Sequence, residues 1–455
     1  MPVFKSTSPL GTRKAQLSLR FFVNSGLLPV LLIQIGLLAR EGDNQQFTTL
    51  LDAFVFDAAT KDDPDSGKSM RQLVENKGYP FEEHRIVTAD GYVLITHRIP
   101  HGRQTPFIQE TNKKVVFLPA PLFCSSTFYV DDLANNSIGY IFADQGFDVW
   151  LGNTRGNAFG METLNRGRVQ SVKDKEFYNY TLVEHGIFDV AAQIDYILQV
   201  TGAKNVSYFG HSQGAASGFA LLSKRPAYNS KISALASLGG FRTFGCNFDD
   251  PFLKSLWRSV KAFVKTMRQF TEEFGWSTIN QLCRSNWPAC RHLLTTVIYG
   301  DDNHSNITRI PIYLEHYPQS SSMKNLIYYT QMQEVACLGE KRVFEFNYDE
   351  LFYGDEVLLH DPAVQFYGHN QEVYGDIRPP VLSTENIRVP VKVYYSDGDT
   401  LITTNNQKAL IASLPNVVGE YHIRDKGFVH GSFAHSPYNM THVYDTIQFF
   451  NEFFL

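Results

Sequence analysis

Residues 206–224 read Val206-Ser207-Tyr208-Phe209-Gly210-His211-Ser212-Gln213-Gly214-Ala215-Ala216-Ser217-Gly218-Phe219-Ala220-Leu221-Leu222-Ser223-Lys224. A short β-favouring apolar run ends in Gly-His-Ser-Gln-Gly, and a helix-favouring stretch begins immediately after it. Glycines two before and two after Ser212 let a strand and a helix approach closely around a strained turn, which lifts the serine hydroxyl to the helix N-terminus. A bare Gly-x-Ser-x-Gly arises by chance. With a strand before it and a helix after it, Ser212 reads as a nucleophile rather than as a structural serine in a glycine-rich turn.

Working outward, Val115 to Leu118, Asp148 to Leu151 and Val391 to Tyr395 repeat the pattern of Val206 to Phe209. Each is a short apolar run bounded by turn residues, as expected of parallel strands covered on both faces. Between them Ile187, Val190, Ala191, Ile194 and Leu198 recur at helical spacing. Upstream, Asp90-Gly91 separates two alternating runs within residues 85–95 and predicts a hairpin. Alternating strand and helix implies an α/β class, a mostly parallel central sheet flanked by helices.

A serine hydroxyl needs a base and an acid to act at neutral pH, and on this layout both follow the serine in the chain. Asp397 and Asp399 lie in Ser396-Asp397-Gly398-Asp399, just beyond the strand Val391 to Tyr395, and spacing alone leaves both open as the acid. His430, in Gly427-Phe428-Val429-His430-Gly431, follows an expected last strand near Gly419 to Ile423 and precedes a terminal helix from Met440, which is where the base belongs. His422, His435 and His442 are the rivals; His422 falls within the strand and His442 within the helix.

A net charge of -5 provides no basic surplus for nucleic acid, which is not an expected partner. Hydrophobic residues at 43% of 455 suffice for a large core. The five cysteines cannot all pair within one chain; Cys283 and Cys290 are close enough to close a local disulfide loop. No CxxC pair or HExxH motif occurs, so neither a metal site nor a cofactor is expected.

Lys5, Arg13, Lys14 and Arg20 precede an apolar stretch from Phe21 to Ala39, so residues 1–39 read as a signal peptide or signal anchor. Six N-glycosylation sequons agree with export, and Asn135, Asn179, Asn306 and Asn439 are the acceptor candidates. Polar residues 40–68 read as a linker or propeptide. The remaining division is a core from 69 to 242, an insertion from 243 to 383 where the core pattern lapses, and a second core part from 384 to 455.

The segments Gly78-Tyr79-Pro80, Asp90-Gly91-Tyr92, Gly146-Phe147-Asp148-Val149-Trp150-Leu151-Gly152-Asn153 and Gly210-His211-Ser212-Gln213-Gly214 together resemble the acid lipases, which include gastric and lysosomal enzymes. The resemblance runs from about residue 69 to 455. It implies the α/β-hydrolase fold with an inserted, mainly helical cap over residues 243–383, and an esterase acting on triacylglycerols, cholesteryl esters or related lipids. It implies a secreted or lysosomal protein. It also selects Asp399 as the acid, because Gly398 and Leu401 fit the family's GGxDxL pattern, and His430 as the base, with Phe433 retained from HLDF.

The family's oxyanion turn, Gln-His-Gly-Leu-Leu, is replaced here by Pro119-Ala120-Pro121-Leu122-Phe123. The donors it implies are the backbone N–H groups of Leu122 and Gln213; neither is proline, so both survive, while Pro119 and Pro121 constrain the turn's shape. Asp399 is followed by Ile402-Thr403-Thr404 where the family has Ala-Asp-Pro.

Within the insertion, Phe252, Leu256, Trp257, Val260, Phe263, Val264, Met267 and Phe270 recur at helical spacing among five Lys and Arg residues. A basic amphipathic helix of this kind suits a lipid–water interface, with Trp257 and Phe263 as anchors; a cap helix packed on the core has the same periodicity. The expected partner is therefore a lipid ester at an interface, with transient membrane or lipid-droplet contact. The competing reading is a weakened lipase fold that binds lipid or a protein without turnover.

Overall fold

In a computed structural model the described residues are 63–104, 113–169, 171, 174–243, 273–274, 304, 309–337, 339, 342–348, 369–436 and 440–454. The alternating runs fold as β1 (Glu82–Val87) and β2 (Tyr92–Ile99), an antiparallel hairpin in which Val87 faces Val93 across the turn. Gly91 supplies a backbone φ of 89°, a left-handed conformation that costs a side-chain-bearing residue energy.

The apolar runs become β3 (Val115–Pro119), β4 (Asp148–Gly152), β7 (Val206–His211), β8 (Ile232–Leu238), β11 (Val391–Ser396) and β12 (Val417–Ile423). The short pair β5 (Glu162–Thr163) and β6 (Gly167–Arg168) extends the far edge, and β9 (Glu273–Phe274) pairs separately with β10 (Ser321–Ser322). Among the described residues the main sheet has ten strands in the order β12-β11-β8-β7-β3-β4-β2-β5-β6, with β1 on β2. From β12 to β4 every neighbouring pair is parallel, and β2 turns antiparallel against β4. This is the expected mostly parallel α/β sheet.

Complete burial of β3, β4 and β7 shows why their sequences do not alternate: both faces are covered. One face packs α1 (Ile138–Asp144) and α5 (Thr441–Glu452) around Phe142, Phe147, Phe209 and Phe450. The other packs α2 (Ala191–Thr201) and α3 (Gln213–Lys224) around Phe117, Tyr208, Ile194 and Leu222. The helix expected from Ile187 is observed with one difference: residues His185–Val190 form a π-turn before α2 begins. That wider turn places Asp189 under Arg155, whose guanidinium forms buried contacts of 2.7 Å to Asp189 and 2.6 Å to Asp90. The Asn153 to Asn157 segment is thereby fixed beneath the sheet's C-terminal edge. Asp189→Ala would leave the buried Arg155 guanidinium with Asp90 as its remaining carboxylate here, and a lower melting temperature is expected.

Part of the polar stretch read as a linker is engaged with the body. Arg309 bonds Asp63 at 2.9 Å and Asp65 at 2.7 Å, and Lys77 reaches Asp65 at 2.7 Å. Ser69 then caps the helix Met70–Glu75 in a reciprocal capping box with Gln72. Within residues 243–383, expected from the sequence to be an insertion, the helices Ile310–His316, α4 (Met323–Cys337) and His369–Tyr374 are described. Trp257, Phe263, Cys283, Cys290, Asn306 and Asn439 lie outside the described residues. Cys337 is disulfide-bonded, and Cys124 is free. Asn135 and Asn179 are both exposed.

Candidate active site

Strand β7 stops at His211 and helix α3 starts at Gln213, leaving Ser212 alone in the turn with φ 54° and ψ -124°. Such a backbone costs on the order of 1–3 kcal/mol and persists only where the surroundings enforce it. Here the Ser212 N–H donates to Leu238 O on β8 at 3.0 Å, and Ala215 N–H donates to Ser212 O at 3.0 Å. The flanking glycines are sterically required: a Cβ on Gly210 would lie 2.6 Å from Ala215 Cα, and one on Gly214 would lie 2.7 Å from Pro119 O.

Asp399 follows β11, where its N–H donates to Ser396 Oγ at 3.1 Å. Its Oδ1 accepts from the N–H groups of Leu401 (3.0 Å) and Ile402 (2.8 Å), and its Oδ2 lies 2.7 Å from His430 Nδ1. His430 is in the loop after β12. Its Nε2 is buried without a hydrogen-bond partner among the described residues. An imidazole oriented through Nδ1 and open at Nε2 is the arrangement a general base requires. Gly239, with φ 51°, makes room for it: a Cβ there would lie 3.2 Å from both Asp399 Oδ2 and His430 Nδ1.

The rivals are otherwise occupied. Asp397 is turned to the surface, where His422 Nε2 at 2.7 Å holds its carboxyl below the usual range. His435 lies 3.1 Å from Asp131, and the Nε2 of His442 meets Phe433 O at 2.8 Å. His211, beside the serine, stacks on Phe128 at 5.4 Å and contacts His430 O at 3.0 Å; burial keeps its pKa well below the ordinary value. It packs and orients the His430 loop.

After β3, Ala120 N–H donates to Gly152 O at 3.1 Å and Cys124 N–H closes a turn onto Pro121 O at 3.2 Å. This leaves the Leu122 N–H without a protein partner, and the Gln213 N–H at the start of α3 has none either, among the described residues. Phe123 occupies the turn with φ 59°, a left-handed position where a glycine would be unstrained. Leu122 and Phe123 face an apolar wall of Leu182, Val183, Ala216, Phe241, Leu326 and Ile327. Sequence reasoning missed Gly239 and the residues of α4 around Gln213. A Gly-Gly pair just after the strand Ile232 to Leu238 was the available signal for the first.

The alpha/beta hydrolase fold model matches residues 130–432, and a partial alpha/beta-hydrolase lipase region matches residues 70–133. The chain belongs to the alpha/beta hydrolase fold family. It is 28% identical to gastric triacylglycerol lipase of Bos taurus, over 87% of this chain and 94% of that one. Lipase member M of Mus musculus is 29% identical over 82% of each chain, and human lysosomal acid lipase/cholesteryl ester hydrolase 28% over 78% of this chain and 84% of that one. The acid-lipase resemblance thus extends across most of this alpha/beta hydrolase.

Two buried histidines near this framework set an expected pH response. Burial pushes His97 and His185 down to about 3 from an ordinary 6.5, with Arg71 and Arg155 respectively adding to the shift. Unfolded, each takes up a proton below about 6.5; folded, neither does until near 3. The unfolded chain therefore binds more protons in that window, and stability falls on acidification by roughly 1 kcal/mol per histidine per pH unit. Urea midpoints at pH 7 and pH 4.5 check this; a higher midpoint at pH 4.5 contradicts it.

Proposed function

We propose that the protein is a serine ester hydrolase cleaving lipid esters, with Ser212 as nucleophile, His430 as base, Asp399 as acid, and the N–H groups of Leu122 and Gln213 as oxyanion donors. The observation that carries this reading is the His430 ring, held by Asp399 through Nδ1 and unpartnered at Nε2, in a chain that also strains Ser212 into an elbow. No separate observation favours a binding protein without turnover, since neither implied donor is consumed by another bond among the described residues.

In the reaction, Ser212 Oγ attacks the ester carbonyl carbon as its proton passes to His430 Nε2. The carbonyl oxygen becomes an oxyanion facing the Leu122 and Gln213 N–H groups. Collapse breaks the bond to the alcohol oxygen, which takes the proton from His430 and leaves an acyl-Ser212. Water then attacks the acyl carbon, gives a proton to His430, and the carboxylic acid departs as that proton returns to Ser212 Oγ. The Asp399 carboxylate orients the ring and stabilises the imidazolium.

The substrate class follows from the relatives, named for triacylglycerol and cholesteryl ester hydrolysis, and from the apolar wall beside Leu122 and Phe123. The same relatives and the N-terminal sequence support a secretory-pathway protein, secreted or lysosomal, glycosylated at the exposed Asn135 and Asn179. Nitrophenyl esters of increasing acyl length, assayed at acidic and neutral pH, test the reading; turnover that survives Ser212→Ala refutes it. Replacing Trp257 and Phe263 by serine is expected to reduce activity on emulsified lipid several-fold more than on soluble esters, because only the former requires adsorption. Equal losses on both would assign the pair to packing.

A further inference from the structure

We infer that Tyr329 and Asn325, on α4, are positioning residues for the oxyanion donor at Gln213. The inference rests on the ester-hydrolase reading and deepens it. A donor N–H is useful only if it is aimed where the oxyanion will form, and in a hydrolase elbow that aim depends on the first residue of the helix after the serine. The peptide plane that carries this N–H is held on its other side, where Ser212 O accepts from Ala215 N–H at 3.0 Å and Ala216 N–H at 3.2 Å. The Gln213 side chain adds a second restraint, from outside the helix.

The Gln213 amide is held on three sides. Its Oε1 accepts from the Tyr329 hydroxyl and from Asn325 Nδ2 at 2.8 Å, and its Nε2 lies 3.2 Å from His185 Nδ1. The chemistry assigns each direction. Burial pushes Tyr329 far above the ordinary phenol range, so its hydroxyl keeps its proton and donates. Burial pushes His185 down to about 3, so its ring is neutral and Nδ1 accepts from the Gln213 amide. Asn325 is itself fixed, because its Oδ1 accepts from Leu182 N–H at 2.7 Å and its N–H donates to Ser322 Oγ at 2.9 Å. Tyr329 packs edge-on against Phe241 with ring centroids 5.7 Å apart.

The same stretch of chain also braces the other donor. Gln319 N–H donates to Phe123 O at 2.6 Å, beside Leu122 and at the left-handed residue of the turn. Residues 319–329 therefore touch both halves of the expected oxyanion hole. Where the family's turn carries a glycine and this one carries prolines, the bracing comes from outside the turn.

Tyr329→Phe removes the hydroxyl that donates to Gln213 and keeps the ring packing; Gln213→Met removes the anchored amide and keeps the backbone N–H. On a short soluble nitrophenyl ester, Tyr329→Phe is expected to lower kcat about tenfold with KM within about twofold, a fraction of the loss of a whole oxyanion donor. Gln213→Met lowers kcat comparably, and adding Tyr329→Phe to it costs nothing more, because both remove the same restraint. A purely structural tyrosine would instead show equal losses in both backgrounds, or a lower melting temperature with kcat unchanged. Either result overturns the inference, as does an unchanged kcat in Tyr329→Phe. A wild-type chain that hydrolyses no ester overturns both this inference and the hydrolase reading, whereas an active wild type with an indifferent Tyr329→Phe overturns this one alone.

Discussion

Ser212→Ala and His430→Ala are each expected to lower kcat for ester cleavage by ~10³-fold or more while leaving the chain folded. Neither side chain contributes much to stability in this structure. Among the described residues no hydrogen bond holds the Ser212 side chain, and the elbow is anchored through backbone bonds to Leu238 and Ala215. Among the same residues the His430 ring makes one bond, to Asp399, and without it Asp399 still accepts two backbone N–H groups from Leu401 and Ile402. On the proposed mechanism the two residues act as one proton-transfer unit, so the double variant is expected to be no slower than either single variant. Steady-state kinetics on a soluble ester, with melting curves for each variant, provide the check. A folded Ser212→Ala enzyme with wild-type turnover would remove Ser212 from the mechanism.

The second large effect separates two aspartates only two residues apart. Asp399→Asn is expected to cost up to ~10⁴-fold in kcat, because an amide facing His430 Nδ1 no longer selects the tautomer that leaves Nε2 basic. Asp397→Asn is expected to change kcat by less than about twofold, since Asp397 is exposed and bonded to His422 and Thr404, and exposed pairs contribute little. The contrast is measured on one substrate at one pH where both variants remain folded. The reverse order would transfer the acid role to Asp397.

That pair also marks where the sequence stopped being informative. Spacing could not choose between them; what sets them apart is the turn after β11, where Ser396 Oγ accepts from the Asp399 N–H and the Asp399 carboxylate meets His430 Nδ1. The acid-lipase resemblance reached the same residue by motif. By contrast, the strand, serine and helix of residues 206–224 were readable because local pattern and tertiary role coincide there. The hairpin at Asp90-Gly91 was readable for the same reason.

Periodicity did not reveal the π-turn at His185–Val190, which keeps an apolar pattern while widening the helix to admit the Arg155–Asp189 pair. It could not reveal Gly239 beside His430 either, because that requirement comes from a side chain about 190 residues later. The contacts of Asn325 and Tyr329 with Gln213 bridge more than 100 residues between polar side chains on a helix of no marked amphipathicity. Long-range polar partners leave no periodic trace.

The strand order has a consequence for how the protein is made. β11 docks on β8 only after some 150 intervening residues, and Asp399 and His430 both arrive after it. During synthesis the elbow can form while β8 still presents an open, apolar edge and His430 is not yet in place. A nascent chain at that stage is at its most prone to mispairing with another strand. High sequence separation of the central contacts predicts slow folding, with Ser212, Asp399 and His430 brought together only as the sheet closes.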